Sequence, residues 1–187
     1  MIPRQRVRAR HGLIRKQGCT RDYGLSPRSE STLLPYQDEM SNELEFTKVE
    51  SSDQMPAWLA RRRLVEFFHT TMKPYEDKRE DIDRAIDYAF NPVRGGFLML
   101  VRQEGKLAGA LLMLRTGMSG YVPENILVFV AVAPDLRCRG IGRSLIEHSI
   151  EQCSGSIKLH VEYDNPARRL YERIGFTTRY AEMRLVR

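Results

Sequence analysis

Residues 126–143 read ILVFVAVAPDLRCRGIGR, and the order of chemistry within this stretch decides the fold. Ile126 to Val132 are apolar at every position. A strand without polar alternation is covered on both faces, so it belongs inside a sheet that carries helices on each side. Pro134 ends the run, a short basic loop follows, and Gly140 opens a helix whose Ile141, Leu145, Ile146 and Ile150 recur at helical spacing. A helix N-terminus presents unpaired N–H groups and a partial positive charge, which suits a phosphate. Gly140 and Gly142 open the main chain to phosphate oxygens where a Cβ would intrude, and Arg137, Arg139 and Arg143 add charge around that spot. The dipole alone contributes only about 0.3 to 1 kcal/mol for a surface anion. Hydrogen bonds and arginines must therefore carry most of the binding.

Upstream, Leu44 to Val49 reads as a first strand. Pro56 opens a helix with Trp58, Leu59, Leu64, Val65, Phe67 and Phe68 at helical spacing. A second helix over about 76–90 gathers Ile82, Ala85, Ile86, Ala89 and Phe90 on one side. Phe97 to Val101 and Leu107 to Leu114 form a hairpin across a Gln-Glu-Gly-Lys turn. Downstream of the glycine loop the helix runs to about 153, and Ile157 to Tyr163 alternates apolar and polar as a strand. Asn165 is an N-cap and Pro166 a favoured first helical residue. Ala167, Leu170, Tyr171 and Ile174 line one face of that last helix before Gly175 stops it, and Tyr180 to Val186 reads as a final strand. The predicted order is β-α-α-β-β-β-α-β-α-β, an α/β fold around one central, mostly antiparallel mixed sheet flanked by helices.

A Walker A loop needs G-x-x-x-x-G-K-[ST], which is absent, and the dinucleotide fingerprint would need glycine or alanine where Leu145 stands. A lone G-x-G is weak evidence. Its context is specific: Arg137-x-x-Gly140-x-Gly142 after an apolar strand resembles the R/Q-x-x-G-x-G/A signature of the GNAT superfamily of acetyl-CoA-dependent N-acetyltransferases. Asn165-x-Ala167-x-x-Leu170-Tyr171-x-x-x-Gly175-Phe176 is similar to that family's second signature. The resemblance covers about residues 43–187 and is strongest over 126–176. It implies a GNAT-like fold in which acetyl-CoA is the co-substrate. The loop of Arg137, Cys138, Arg139, Gly140, Ile141, Gly142 and Arg143 would hold its pyrophosphate. The strand edge at Val130, Ala131 and Val132 would pair with the pantetheine amides, and Asn165 would contact the same arm. Cys138 departs from the family, which usually places glycine or another small or basic residue there. Family members are often dimers, so a homodimer is implied as well.

Composition limits the alternatives. The 187 residues suit one domain, with 42% apolar and 29% charged side chains. No apolar run reaches the roughly 18 to 20 residues of a membrane-spanning helix, and the N-terminus lacks a secretory h-region. Cys19, Cys138 and Cys153 are odd in number and at no metal-like spacing, which predicts thiols in a reducing, cytoplasmic compartment and no metal centre. The net charge of +6 is concentrated: residues 1–40 hold eight basic and four acidic side chains, a balance of +4. A nucleic-acid-binding domain would carry its basic patch on a folded face. Residues 1–42 instead mix Arg, Ser, Pro, Gly and Gln without periodicity, which predicts a basic disordered extension before a domain at 43–187, with Met40 an alternative start.

Acetyl transfer to an amine needs a neutral nucleophile, a proton acceptor and a donor to the leaving thiolate. Deprotonating a lysine-like amine at pH 7 costs roughly 4 to 5 kcal/mol, against about 1.4 kcal/mol for an α-amine. The resemblance gives the acid to Tyr171, although the same residue also fits a core position on its helix. For the base, Glu124 precedes the central strand, close to where many family members place a glutamate but two residues early. His160 and Glu162 share a face of the next strand and compete for the role. The acceptor, a primary amine of a small molecule or peptide, should meet the segment from His69 to Tyr75 and the 116–125 loop. Those segments show no acidic cluster, which argues mildly against polyamines and aminoglycosides. A second reading retains the coenzyme A loop without turnover, as a regulatory module.

Overall fold

The computed structural model describes residues 43–185. The predicted extension over 1–42 and the alternative start at Met40 lie outside the described residues. Five strands form one sheet in the order β1 (Glu45–Val49), β2 (Gly96–Gln103), β3 (Lys106–Arg115), β4 (Asn125–Val132) and β5 (Ile157–Leu159). The first four pair antiparallel, and β5 joins β4 in parallel. A parallel neighbour requires a crossover, supplied here by α3 (Ile141–Glu151). The helices α1 (Arg61–Thr71) and α2 (Arg79–Phe90) follow β1, and α4 (Arg168–Ile174) follows β5.

Period-two alternation divides the core in two. Leu98 and Leu100 of β2 and Ala110 and Leu112 of β3 pack with Leu64, Val65 and Phe68 of α1 and Ile82 and Ile86 of α2. Phe97, Met99, Val101, Leu111 and Met113 face the other way, onto Ile141, Leu145, Ile146 and Tyr171. Leu64, Phe68, Ile82 and Ile86 are wholly buried, worth roughly 1.5–3 kcal/mol each in apolar transfer. Arg61 ties the two helices together by donating to Asp83 Oδ1 and Asp87 Oδ1, each at 2.6 Å.

β4 is covered on both faces, as its unbroken apolar run predicts, but one residue is out of step. Leu112 pairs with Phe129 and Met113 with Leu127, which leaves Val128 as a bulge. Leu127 therefore packs on the α3 side and Phe129, two residues on, packs on the α1–α2 side.

Several boundaries differ from the sequence reading, among them the start of α4 at Arg168 instead of Pro166. α1 starts at Arg61, not Pro56: Ala60 is extended (φ −68°, ψ 139°), and Leu59 is buried from a turn closed on Pro56. β5 stops at Leu159 instead of Tyr163, because its partner β4 bulges at Val128 just past the last pair, Leu127 with Leu159. The predicted strand over 180–186 is absent from the described residues 180–185, which leave Tyr180, Met183 and Leu185 exposed. Without a covered apolar face, alternation alone does not hold a strand.

Candidate active site at the C-terminal end of β4

The parting of β4 from β5 creates the site. Their pairing is limited to Asn125–Leu127 against Ile157–Leu159, and beyond it the two strands separate. Ala133 N donates to Ala108 O at 2.9 Å on the β3 side. The two-residue alternation of a ladder then turns the main-chain groups of Val130 and Val132 toward the opening, with Ala131 bound to β3 between them.

The basic loop closes the end of this opening. Cys138 (φ 61°) and Gly140 (φ 86°) both adopt left-handed backbone. This explains why glycine suits position 138: a Cβ there crowds the following carbonyl. Gly140 caps α3 without any side-chain hydrogen bond, so the first N–H groups of that helix remain available. A Cβ on Gly142 would lie 3.5 Å from Val132 Cγ2 and 3.6 Å from Leu170 Cδ2, which is ordinary contact. The fold itself therefore does not demand glycine at 142. A Cβ at that position would lie between the side chains of Val132 on β4 and Leu170 on α4.

Arg139 and Cys138 are exposed in this loop, and Arg143 Nε donates to Glu147 Oε1 at 2.8 Å. Arg137 instead donates to two carbonyl oxygens, Val132 O at 3.3 Å and Thr71 O at 2.6 Å. Asn165 Oδ1 accepts from Ala167 N at 2.9 Å, making a turn before α4 where the sequence predicts immediate helix. Gly175 ends α4 in the left-handed conformation (φ 116°), as the sequence suggests.

Tyr171 points from α4 into the α3-side core, 8% exposed, its ring edge-on to Phe176 at 6.0 Å. No group among the described residues hydrogen-bonds its hydroxyl. Burial, with a smaller contribution from the Glu162 carboxylate, pushes its pKa up to about 12. The unfolded phenol titrates near 10, so the stabilisation from keeping Tyr171 neutral is complete below about pH 10 and is lost as pH rises toward 12. Urea unfolding across that window should show a loss of about 2–3 kcal/mol in the native chain that the Tyr171→Phe variant lacks.

Glu162 is one member of an acidic group that the sequence order conceals. Asp77 is held above the usual carboxylate range by burial, then by the charges of Asp81 and Glu162. Tyr75 is raised by burial and by Asp164 and Glu162. The α1–α2 loop thus faces the segment after β5. His69 Nδ1 donates to Asp77 O at 2.9 Å, and Arg79 makes two bonds to Glu66 at 2.7 and 2.9 Å, fixing that loop at both ends. Arg184, paired with Glu182, lies in the field of Asp77 and Glu162. Asp77 and Asp164 were not singled out by sequence reasoning, since only the fold brings positions so far apart together.

Glu124 is not among them. It sits before the first residue of β4, about 20 Å along the strand from Val130 at some 3.3 Å per residue. Its Oε2 accepts from Ser156 N at 2.7 Å, a bond that holds its pKa below the ordinary value. His160 is exposed after β5, where its charge reaches Glu182. The 116–125 loop lies at the same far end as Glu124. Its Met118 and Val122 line a separate cavity of about 260 Å³ with Tyr88, Ile126 and Lys158. Among the described residues, no cluster of His, Cys, Asp or Glu could hold a metal ion, and no helix is long and apolar enough to cross a membrane.

A split between two strands beside an uncapped, glycine-opened helix N-terminus forms an anion-accepting site on an α/β sheet. The sequence pattern of the acetyltransferase (GNAT) family matches residues 58–176, more than half of the chain, and the chain belongs to that family. The cysteine-rich protein 2-binding proteins of mouse and human are each 41% identical to it over 56 residues, 29% of this chain. The aligned stretch spans only 7% of those relatives' length. Among solved structures, aminoglycoside N-acetyltransferase AAC(6')-Iy in complex with CoA superposes with a TM-score of 0.59 at 10% identity, covering 83% of this chain and 99% of that one. A possible acetyltransferase from Clostridium difficile gives 0.54 at 16% identity over 77% and 97%. These two similarities establish the fold.

Proposed function

We propose that the chain is an N-acetyltransferase that binds acetyl-CoA between β4 and β5 and acetylates a primary amine of a small molecule or peptide that carries additional positive charge. The observation that carries this reading is Gly142: a glycine the fold does not need, at the uncapped start of α3, where an added Cβ would come against the side chains of Val132 and Leu170. The residues fit the co-substrate. The main chain from Cys138 to Arg143, with the Arg139 and Arg143 side chains, would hold the pyrophosphate. The main-chain groups of Val130 and the N–H of Val132, whose carbonyl accepts from Arg137 Nε, would meet the pantetheine amides, with Asn165 contacting the same arm. When bound, acetyl-CoA supplies an acetyl group activated as a thioester.

The chain's own groups then manage two protons. Tyr171 keeps its proton at neutral pH and delivers it from Oη to the departing sulfur, a role open to a hydroxyl that makes no hydrogen bond among the described residues. The acceptor nitrogen bonds to the acetyl carbon as the carbon–sulfur bond breaks, and the nitrogen's surplus proton passes to a carboxylate. Of the three groups suggested by the sequence, Glu162 is the best placed for that role, since its charge reaches Tyr171. Glu124 is occupied by Ser156 N–H at the other end of the strand.

Asp77, Glu162 and Asp164 favour an acceptor with more than one cationic group, a class to which aminoglycosides and polyamines belong. That reverses the mild argument drawn from the loops alone. A charge pair some 6 Å apart near a surface is worth a few kcal/mol before screening, enough for about tenfold selectivity after it. The test compares kcat/KM for a diamine with its analogue in which a hydroxyl replaces the second amine. The diamine should be better by at least about tenfold, and Glu162→Gln should lower kcat and erase most of that preference. Equal rates for the two amines would refute the acceptor class.

A further inference from the structure

We infer that Arg137 is a positioning residue for the acceptor side of the site: its guanidinium holds the α1–α2 loop in place rather than gripping phosphate. The inference rests on the acetyltransferase reading for the meaning of "acceptor side", but its geometry stands alone. Arg137 Nη2 donates to Thr71 O at 2.6 Å and Nε donates to Val132 O at 3.3 Å. Thr71 is the buried last residue of α1. Its carbonyl is one of the final four that a helix leaves without an intrahelical partner, and the negative end of the helix dipole adds to the attraction for a cation. Within the next six residues come Tyr75 and Asp77, the two members of the acceptor-facing group that the α1–α2 loop contributes.

One side chain therefore joins three parts: the glycine loop that carries it, the edge of β4 at Val132, and the point where the α1–α2 loop begins. Two donors of a rigid planar fork are committed to carbonyl oxygens, one on β4 and one at the end of α1, which leaves the charge facing the α3 N-terminus to Arg139 and to Arg143, whose Nε also bonds Glu147. Lysine could reach one carbonyl but would not span both with fixed geometry. Ordering of the phosphate-side loop is thereby linked to ordering of Tyr75 and Asp77.

The test uses the whole chain with Arg137→Ala, Arg137→Lys and, for contrast, Arg139→Ala. Backbone hydrogen exchange is read at Met72 and Tyr75, whose N–H groups bond to Phe68 O at 3.0 Å and Met72 O at 2.9 Å. Calorimetry with CoA alone gives its affinity, and steady-state rates give the acceptor KM. Arg137→Ala should speed exchange at both amides by about tenfold and raise the acceptor KM by a similar factor, while CoA affinity stays within about threefold. Arg137→Lys should fall between the two. Arg139→Ala should do the reverse, weakening CoA and leaving both amides unchanged. Unaltered exchange in Arg137→Ala, or a loss of CoA affinity as large as that of Arg139→Ala, would overturn the inference. The exchange and CoA measurements need no turnover, so they decide the matter even if no amine is acetylated, and the two readings can fail separately.

Discussion

Replacing Tyr171 with phenylalanine should reduce kcat by about 10²-fold or more while the KM for acetyl-CoA changes little, because a positioned general acid is typically worth 10²- to 10⁴-fold. The substitution removes one oxygen from a ring that stays packed against Phe176. The folded chain loses no internal hydrogen bond, since none among the described residues is made to that hydroxyl. A fall in rate with unchanged thermal stability at neutral pH thus isolates the proton from the packing. The pH profile adds an independent check. With the phenol titrating near 12, no loss of rate from its ionisation should appear below about pH 10. The rate should instead climb with pH as the acceptor amine loses its proton, and level off when it is neutral. If Tyr171→Phe kept the native rate, the residue would belong to the core alone, which its burial also permits.

The second large effect belongs to Gly142→Ala. In the protein without ligand the added Cβ meets only Val132 Cγ2 and Leu170 Cδ2 at ordinary distances, so folding should be nearly unaffected. Alanine also raises the helix propensity at an α3 position by up to about 1 kcal/mol. Affinity for acetyl-CoA should nonetheless fall by roughly tenfold to a hundredfold, as expected when charge-assisted hydrogen bonds to a phosphate are blocked. A variant at least as stable as the native chain that binds acetyl-CoA poorly is hard to obtain by any structural defect. Thermal unfolding and calorimetry on the same sample check both halves.

The two halves of the site differ in how far the sequence reveals them. The co-substrate side is local. An apolar strand, a basic loop and a glycine-opened helix follow one another within 18 residues, so the spacing of Arg137, Gly140 and Gly142 carries its own geometry. The stop at Gly175 is local in the same sense, whereas Asn165, read as a helix cap, makes a turn before α4 begins. The acceptor side is assembled from Tyr75, Asp77, Glu162 and Asp164, which no periodicity links. The bulge at Val128 is equally silent in sequence, since one apolar residue among seven looks like its neighbours. Yet it reverses which face Phe129 presents and ends the pairing that β5 would otherwise continue to Tyr163. Glu124 shows the converse problem. A glutamate near the expected place reads as a base until its carboxylate is found on Ser156 N. Arg137 reads as a phosphate ligand from its motif, and only the fold shows Thr71 O beside it.

The most direct measurement is acetyl-CoA-dependent release of free thiol by the native chain across peptides, amino acids, polyamines and aminoglycosides, with the acetylated product confirmed by mass. Thiol release that requires both acetyl-CoA and an amine, strongest with a polycationic one and yielding an N-acetylated product, is the expected result. Tight CoA binding with no release above the amine-free background for any of these acceptors would contradict it, leaving a coenzyme A module without acetyl transfer.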